Sequence, residues 1–250
     1  MDLFRNVENF VFGAECLGCG HASDQLDPWL CPSCAAELDR ASKVSLFPGP
    51  DVLSLYPMRP ITRRLVHALK YKGIPGMATY LVRHSSARKD GMVGSELDLW
   101  PRPLYFVPVP LHRARFRERG YNQAEKIAAA LAVSAGGRVC KWLRRKTFVV
   151  SQTKLSKEER ERNVADAFEC VLQKGIPTRG TVVIVDDVYT TGATTGACLA
   201  AFERVLARSA CSGNGPLLKV CTLLYDEPAS AVADYVADCQ MEWDFEGGRS

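Results

Sequence analysis

The sequence has no apolar run that approaches the roughly 20 residues needed to span a bilayer as a helix, so we expect no membrane insertion. Its first 16 residues lack the basic and then apolar layout of a secretory signal, and the expected location is therefore cytoplasmic. Low-complexity tracts are also absent. With 47% hydrophobic and 24% charged residues, the 250-residue chain has an ordinary globular composition and a length that suits one large domain, or one medium domain with a small appendage.

The chain has little net charge, +4, but this charge is unevenly distributed. Residues 101–162 contain 15 Lys and Arg against 5 Asp and Glu, a local excess of +10 that leaves −6 for the rest of the chain. A basic segment of this kind indicates an anionic partner, either a phosphorylated small molecule or nucleic acid.

Ten cysteines are many for a cytoplasmic chain, and four of them form two CxxC pairs. Cys16 pairs with Cys19, and Cys31 pairs with Cys34 after eleven intervening residues. Two such turns can close a tetrahedral four-thiolate zinc site, and a module of about 30 residues has too little core to fold without metal. We predict a structural zinc site, with redox-active or incidental cysteines as the alternative. The other six cysteines are interpreted as small buried hydrophobes.

Short apolar runs alternate with segments of helical periodicity beyond residue 47. The predicted strands are residues 104–109, 181–185 and 217–224, and the predicted helices are residues 61–73, 122–133 and 194–210. Asn122 is the expected N-cap of the second helix, and Gly73 the expected C-cap of the first. This alternation indicates an α/β fold with a parallel sheet covered on both faces. The predicted division is a metal-binding module in residues 1–47 and an α/β domain in residues 48–250.

The stretch VVIVDDVYTTGATTG, residues 182–196, joins an apolar strand to two aspartates and a loop of small and hydroxyl residues. Asp186 and Asp187 would stand at the crevice where open α/β sheets bind ligands. Their carboxylates can accept hydrogen bonds from a sugar diol, and the loop at the start of the next helix can bind a phosphate. A ribose 5-phosphate fits both halves, whereas the loop lacks the lysine of a P-loop nucleotide site. The alternative is a solvated turn that merely starts a helix.

As a whole, this pattern resembles the phosphoribosyl pyrophosphate (PRPP) motif of type I phosphoribosyltransferases. Together with LKYKG (residues 69–73), VPVPLHRARFRERGYNQAEKIA (107–128) and TFVVSQTKLSKEERERNVADAFE (147–169), it is similar to the ComF (ComF/GntX) family. The resemblance covers about residues 16–224. It implies a four-cysteine zinc module on a phosphoribosyltransferase-like domain, and a link to competence, DNA uptake and the proteins of that machinery.

The resemblance also implies a role for individual residues. Asp186 and Asp187 would form the catalytic pair that binds the ribose hydroxyls. The 5-phosphate would be bound by Thr190, Thr191, Gly192, Ala193 and Thr194. The pyrophosphate, accompanied by magnesium, would be bound by Val109, Pro110, Leu111, His112, Arg113 and Arg115, and Lys70 and Lys72 could add positive charge. Residues 144–162, beginning with Arg144, Arg145 and Lys146, would form a mobile hood over PRPP.

Two functions remain open at this point. One is magnesium-dependent transfer of a phosphoribosyl group from PRPP to an unknown acceptor. The other is a non-catalytic, PRPP-responsive protein that binds single-stranded nucleic acid, with Phe116, Tyr121, Trp142 and Phe148 as possible stacking faces. In purine-salvage relatives the phosphate loop begins with an acid, and here that position is Thr190, which disfavours salvage of the hypoxanthine–guanine type.

Overall fold

The computed structural model describes residues 14–42, 46–49, 51–85, 97–146, 167–171, 177–208 and 215–227. Within these ranges the strands are β1 (Ala14–Glu15), β2 (Ala22–Ser23), β3 (Leu46–Gly49), β4 (Val52–Pro57), β5 (Leu104–Pro108), β6 (Arg138–Val139), β7 (Leu143–Arg145), β8 (Phe168–Cys170), β9 (Thr181–Tyr189) and β10 (Leu217–Tyr225). The helices are α1 (Pro32–Ala41), α2 (Pro60–Tyr71), α3 (Gly76–His84), α4 (Arg113–Arg119), α5 (Gln123–Ala135) and α6 (Ala193–Arg208). None of these helices combines the length and the apolarity that crossing a bilayer requires.

Six strands form the main sheet in the order β3-β4-β10-β9-β5-β6. Neighbouring strands are parallel throughout, except that β3 and β4 form an antiparallel pair at one edge. The predicted α/β class is therefore confirmed, with a mixed rather than a wholly parallel sheet. Two smaller two-stranded sheets, β1 with β2 and β7 with β8, lie outside it.

Side chains alternate between the two faces of β9, as the period of a strand requires. Val183 and Val185 belong to the core that contains α2, α3 and α5, whereas Val182 and Ile184 belong to the core under α6. Helices thus cover both faces of the sheet, as the apolar runs predict. Of the scattered cysteines, Cys198 and Cys221 are buried, Cys140 and Cys170 are partly buried, and residues 211 and 239 lie outside the described ranges.

The strand β9 differs from the sequence prediction at its end. The strand was predicted to end at Val185, but it continues for four residues through both aspartates. The reason is non-local, because Val188 and Tyr189 pair with Leu224 and Tyr225 of β10. The residues predicted to form a mouth beyond the strand are therefore part of the strand itself.

The predicted N-cap Asn122 is confirmed, whereas the C-cap of α2 is Lys72, one residue before the predicted Gly73. Asn122 accepts a hydrogen bond through Oδ1 from the Ala124 amide at 3.0 Å and begins α5. Its Nδ2 donates to the Val109 carbonyl at 2.9 Å, so the same side chain also holds the end of β5. At the end of α2, Gly73 adopts a φ of +66°.

The cysteine segment packs directly on the main core. Cys16, Leu30, Cys34 and Leu38 share one buried cluster with residues of α2 and α3. Trp29 packs edge-on against Tyr80 with 5.4 Å between ring centroids. The division at residue 47 stays a prediction.

Candidate functional site

The neighbouring strands β5 and β9 end at different heights in the sheet, and this difference opens a crevice. The last β5 pair with β9 joins Pro108 to Val185, after which the Val109 amide donates to the Val185 carbonyl at 2.9 Å. On the other side of β9, pairing with β10 continues to Tyr189. The strand order reverses between β5 and β9. After β5 the next strand of this sheet is β6, on one side, whereas after β9 the chain passes through α6 to β10, on the other side. Ligands of open α/β sheets bind at such a point.

Asp186 and Asp187 lie on β9 at this crevice, and they face opposite sides of the sheet. Asp186 lines a small cavity formed with the loop that follows β9. Asp187 is buried on the side of α2, where its Oδ1 lies 3.0 Å from Nζ of Lys70. The other oxygen of Asp187, Oδ2, is buried and has no hydrogen-bond partner among the described residues.

The environment of Asp186 favours its protonated form. Burial and the neighbouring charge of Asp187 raise the pKa of Asp186 to about 7, and the Asp187 amide and Lys70 oppose this rise. That amide donates to Oδ1 of Asp186 at 2.9 Å. The site therefore contains one carboxyl group that titrates near neutral pH beside one that is ion-paired.

The loop after β9 forms a cavity of about 50 Å³ lined by Asp186, Val188, Tyr189 and residues 190–195. Gly192 has a φ of +75°, and a Cβ atom there would lie 2.5 Å from the Tyr189 hydroxyl oxygen. Only glycine suits this position without displacing Tyr189. The loop hydroxyls support the turn, since Thr191 Oγ1 accepts from the Ala193 amide and Thr195 Oγ1 donates to the Gly192 carbonyl. The five predicted phosphate-loop residues are thus together at the start of α6.

A second and larger cavity, of about 660 Å³, lies between α4 and the paired strands β7 and β8. Its lining includes the loop residues Pro110, Leu111 and His112 and five cationic side chains, which are Arg113, Arg117, Arg144, Arg145 and Lys146. Glu169 is the only acidic residue of the described lining, and it pairs with Arg144 at 2.7 Å. The residues predicted as pyrophosphate loop and as hood therefore meet in one basic cleft.

Two residues that were predicted to bind pyrophosphate, Val109 and Arg115, do not line the basic cleft. Val109 is buried and contributes backbone hydrogen bonds to the end of β5. Arg115 lies 3.7 Å from Glu118, away from the cleft. Arg113 and Arg117 share a face because they are four residues apart on α4, and helical periodicity would have selected Arg117 had α4 been predicted. The hood residues 147–162 lie outside the described ranges.

The segment after α4 packs on the end of α2. The Tyr121 hydroxyl donates to the Leu69 carbonyl. Arg119 donates to the Tyr71 hydroxyl at 3.0 Å and lies over the Tyr71 ring at 4.8 Å. Two motifs that are distant in sequence, LKYKG and RERGYNQ, are thereby joined beside the crevice.

The four CxxC cysteines form a compact cluster in which all Sγ atoms lie within 4.8 Å of one another. Four thiolates around a tetrahedral zinc ion at about 2.3 Å would be about 3.8 Å apart, and Cys19 Sγ lies 3.9 Å from Cys31 Sγ. Gly18 is required by close packing, because a Cβ atom there would lie 2.7 Å from Cys34 Sγ. The cluster is of a size that could hold one metal ion.

Hydrogen bonds already favour thiolates in this cluster. The amides of Gly18 and Cys31 donate to Cys16 Sγ at 3.4 and 3.2 Å. The Ser33 hydroxyl and the Cys34 amide lower the pKa of Cys31 to about 6. Burial, together with the three neighbouring thiols, raises the pKa of Cys34 above its ordinary value. The cluster therefore favours the thiolate of Cys31 but not that of Cys34. A divalent cation would stabilise both thiolates, because its charge compensates several of them at once.

No known family model matches the chain. Over 176 residues, 66% of this chain, it is 31% identical to the DNA utilization protein YhgH of Salmonella typhi and covers 74% of that protein. Over 101 residues, 37% of this chain, it is 33% identical to competence protein F of Haemophilus influenzae and covers 41% of that protein.

Solved phosphoribosyltransferase structures are also similar to this chain. Adenine phosphoribosyltransferase from Saccharomyces cerevisiae, in complex with an imino-altritol bisphosphate and adenine, matches with a TM-score of 0.36 and 17% identity, over 78% of this chain and 89% of that one. Adenine phosphoribosyltransferase from Leishmania tarentolae matches with a TM-score of 0.34 and 14% identity, over 73% and 94%.

The raised pKa of Asp186 generates a prediction about stability. In the unfolded chain this carboxyl has a pKa of about 4, so between about pH 4 and 7 the native state binds more protons and loses stability as the pH rises. Asp186→Asn removes that loss. We expect the variant to exceed the wild type at pH 8 by roughly 1–2 kcal/mol, or about 2–8 °C in Tm, and the difference to shrink towards pH 4.

Thermal denaturation between pH 4 and 8 tests this, with the exposed Asp24→Asn as a control that should show no such trend. A stability difference that is independent of pH, or largest at acidic pH, would contradict the assignment.

Proposed function

The chain belongs to the ComF family of phosphoribosyltransferase-like proteins, and we propose that it binds PRPP in the crevice between β5 and β9. The observation that carries this proposal is the Asp186-Asp187 pair beside the loop of residues 190–195, at the point where β5 stops and β9 continues. PRPP consists of a 5-phosphate, a ribose and a pyrophosphate, and each of these three groups can be assigned to a set of described residues.

The 5-phosphate is assigned to the loop at the start of α6. Amides at the first turn of a 16-residue helix have no intrahelical acceptors, and they favour an anion. Thr190 and Thr191 are exposed and offer hydroxyl donors, and Gly192 lets the backbone approach the phosphate closely. Because this loop carries no cationic side chain, the phosphate is held by neutral donors.

The ribose is assigned to the two aspartates. Their side chains face opposite sides of β9, so a sugar at the strand edge can be reached by one carboxylate from each side. The unpartnered Oδ2 of Asp187 needs a donor, since buried acceptors are rarely left unsatisfied. A ribose hydroxyl supplies that donor.

The pyrophosphate is assigned to the basic cleft, whose cationic side chains exceed its acidic ones by five to one. The described lining has no unpaired acidic group that could hold a bare magnesium ion, because Glu169 pairs with Arg144. Magnesium would therefore enter bound to the oxygens of PRPP itself, as it commonly does with phosphorylated ligands, and would neutralise part of the pyrophosphate charge.

This arrangement suits phosphoribosyl transfer. The bond between ribose C1 and the pyrophosphate oxygen would break with its electron pair going to pyrophosphate, and an acceptor nucleophile would form the new bond at C1. Arg113, Arg117 and the β7 arginines would stabilise the charge that develops on the leaving group. The neutral Thr190, which stands where purine-salvage relatives have an acid, argues against salvage of the hypoxanthine–guanine type, and the acceptor is open.

Calorimetric titration with PRPP and magnesium tests the ligand. We expect micromolar binding to the wild type and roughly 100-fold weaker binding to Asp186→Asn/Asp187→Asn, because two charged hydrogen-bond acceptors are lost. Glu203→Gln on the exposed face of α6 is the matched control and should bind as the wild type does. No binding to folded wild type, or equal binding to the double variant, would refute the proposed site.

We also propose that the four-cysteine cluster binds structural zinc. The prediction is one zinc ion per chain in the wild type and a loss of most of it in Cys16→Ser and in the exposed Cys19→Ser, because three thiolates leave the tetrahedral site open. Elemental analysis of the purified proteins measures this, with Cys140→Ser outside the cluster as the control. Full zinc occupancy in the Cys16 or Cys19 variant would show that the metal is bound elsewhere.

A second function is favoured by the shape and charge of the basic cleft. Of the aromatic residues considered for stacking, Phe116 is 47% exposed beside the cleft, whereas Trp142 packs between Tyr105 and Phe202, and residue 148 lies outside the described ranges. The similar proteins are named for DNA utilization and competence. We infer that the same cleft can bind single-stranded DNA, in a DNA-uptake role with partners of that machinery.

Fluorescence anisotropy of labelled oligothymidylate against salt concentration tests this function. Each phosphate contact contributes a slope of about −0.7 to log K against log salt. We expect reversal of Arg144 and Arg145 to glutamate to weaken binding at least tenfold and to flatten the slope by about 1–2. The exposed pair on α2, reversed as Arg63→Glu/Arg64→Glu, matches the change in charge and should leave the slope unaltered. If both charge reversals weakened DNA binding equally, the binding would reflect the net charge of the protein and not the basic cleft.

A further inference from the structure

Lys70, in the last turn of α2, lies at the same crevice. Its Nζ is 3.0 Å from Oδ1 of Asp187, and the two side chains are 21% and 9% exposed. An ion pair so far removed from water is not an ordinary surface contact, because both charges have lost most of their hydration.

The fold, and not the ion pair alone, determines where this ammonium lies. On one side of Lys70 the Leu69 carbonyl accepts from Tyr121, and on the other side the Tyr71 hydroxyl accepts from Arg119. The end of α2 is thus tied to the segment that follows the cleft loop. Leu65 and Leu69 anchor the same helix in the core.

Asp187 is held through one oxygen only. Oδ1 meets Lys70, whereas Oδ2 is buried without a partner among the described residues. Since a buried carboxylate oxygen usually accepts a hydrogen bond, Oδ2 is an acceptor that a ligand hydroxyl at this crevice could satisfy.

We propose that Lys70 is a positioning residue of the sugar-phosphate site, which holds Oδ1 of Asp187 so that Oδ2 is presented to a ribose hydroxyl. This inference rests on the proposed binding of PRPP and assigns Lys70 a role on the aspartate, not on the phosphates.

The charges around the two carboxyl groups explain why a cation is needed there. Asp186 adjoins Asp187 on β9, Cys198 faces Asp186 from α6 with its pKa raised by burial, and Lys70 approaches from α2. Among these groups Lys70 alone opposes the mutual repulsion of the carboxylates. Without Lys70 the pKa of Asp186 would be raised further, and a ligand that needs the ionised form of Asp186 would bind only at higher pH.

Titration of magnesium-PRPP between pH 6 and 8.5 distinguishes this role from a merely structural ion pair. We expect Lys70→Met to bind at least tenfold more weakly at pH 7.5, with the midpoint of its pH dependence about one unit higher than in the wild type. Lys70→Arg should restore most of the affinity and the wild-type midpoint. Lys126→Met, at an exposed lysine of α5, should change neither. Lys70→Gln, which keeps length and a donor, replaces the methionine variant should that one fail to fold.

Combination with Asp187→Asn tests whether Lys70 acts through Asp187. In that background, loss of the lysine should cost less than twofold, because there is no charge left to position. An equal loss in both backgrounds would mean that Lys70 contacts the ligand directly, and would overturn the proposal. So would a folded Lys70→Met protein with wild-type affinity and pH profile. Absence of binding to the wild type is a different outcome, which removes the PRPP proposal itself and this inference with it.

Discussion

The unequal length of two neighbouring strands is the constraint on which the site depends. β5 has no partner residue on β9 beyond Val185, because the chain leaves the sheet at Val109 and turns towards α4. β9 continues because β10 continues beside it. The exposed step between them lets Asp186 and Asp187 remain in regular strand geometry while one side of that strand stays open to a ligand. A strand that ended at Val185 would have left the two carboxylates on a loop, with less control over where each one points.

Strand periodicity then gives the two aspartates different environments. Asp187 faces the side of the sheet covered by α2 and forms an ion pair with Lys70. Asp186 faces the loop cavity, where burial and its neighbour raise its pKa to about 7. Two adjacent acidic residues in a sequence suggest that their carboxylates act together on one side of the chain. On a strand, however, their side chains point to opposite faces of the sheet. The two carboxylates can therefore approach one ligand from two sides of the sheet.

Local sequence signals predicted the parts that depend on near neighbours. The cap at Asn122, the end of α2 next to Gly73, the strand β10 and the CxxC turns follow from residue type and short spacing. The features that were not predicted are those that depend on distant pairing. The last four residues of β9 require β10, the Lys70 ion pair requires α2 to pack beside β9, and the basic cleft requires β7 to pair with β8 across the intervening segment. Helix α4 was not predicted for another reason: none of its seven residues is buried, and they carry no apolar periodicity.

The segment that contains the four CxxC cysteines also contributes to the site, through packing. A Cβ atom on Gly18 would lie 2.8 Å from Cδ1 of Ile61, so the cysteine cluster sits directly against the first turn of α2. Lys70 is in the last turn of that helix, about 14 Å away at 1.5 Å per residue. Trp29 and Tyr80 extend the same contact to α3. The segment is therefore better regarded as a brace for the helices on one face of the sheet than as an independent tail. A metal ion that holds the four cysteines together would stabilise the helix that brings Lys70 to Asp187, acting from the opposite end of that helix.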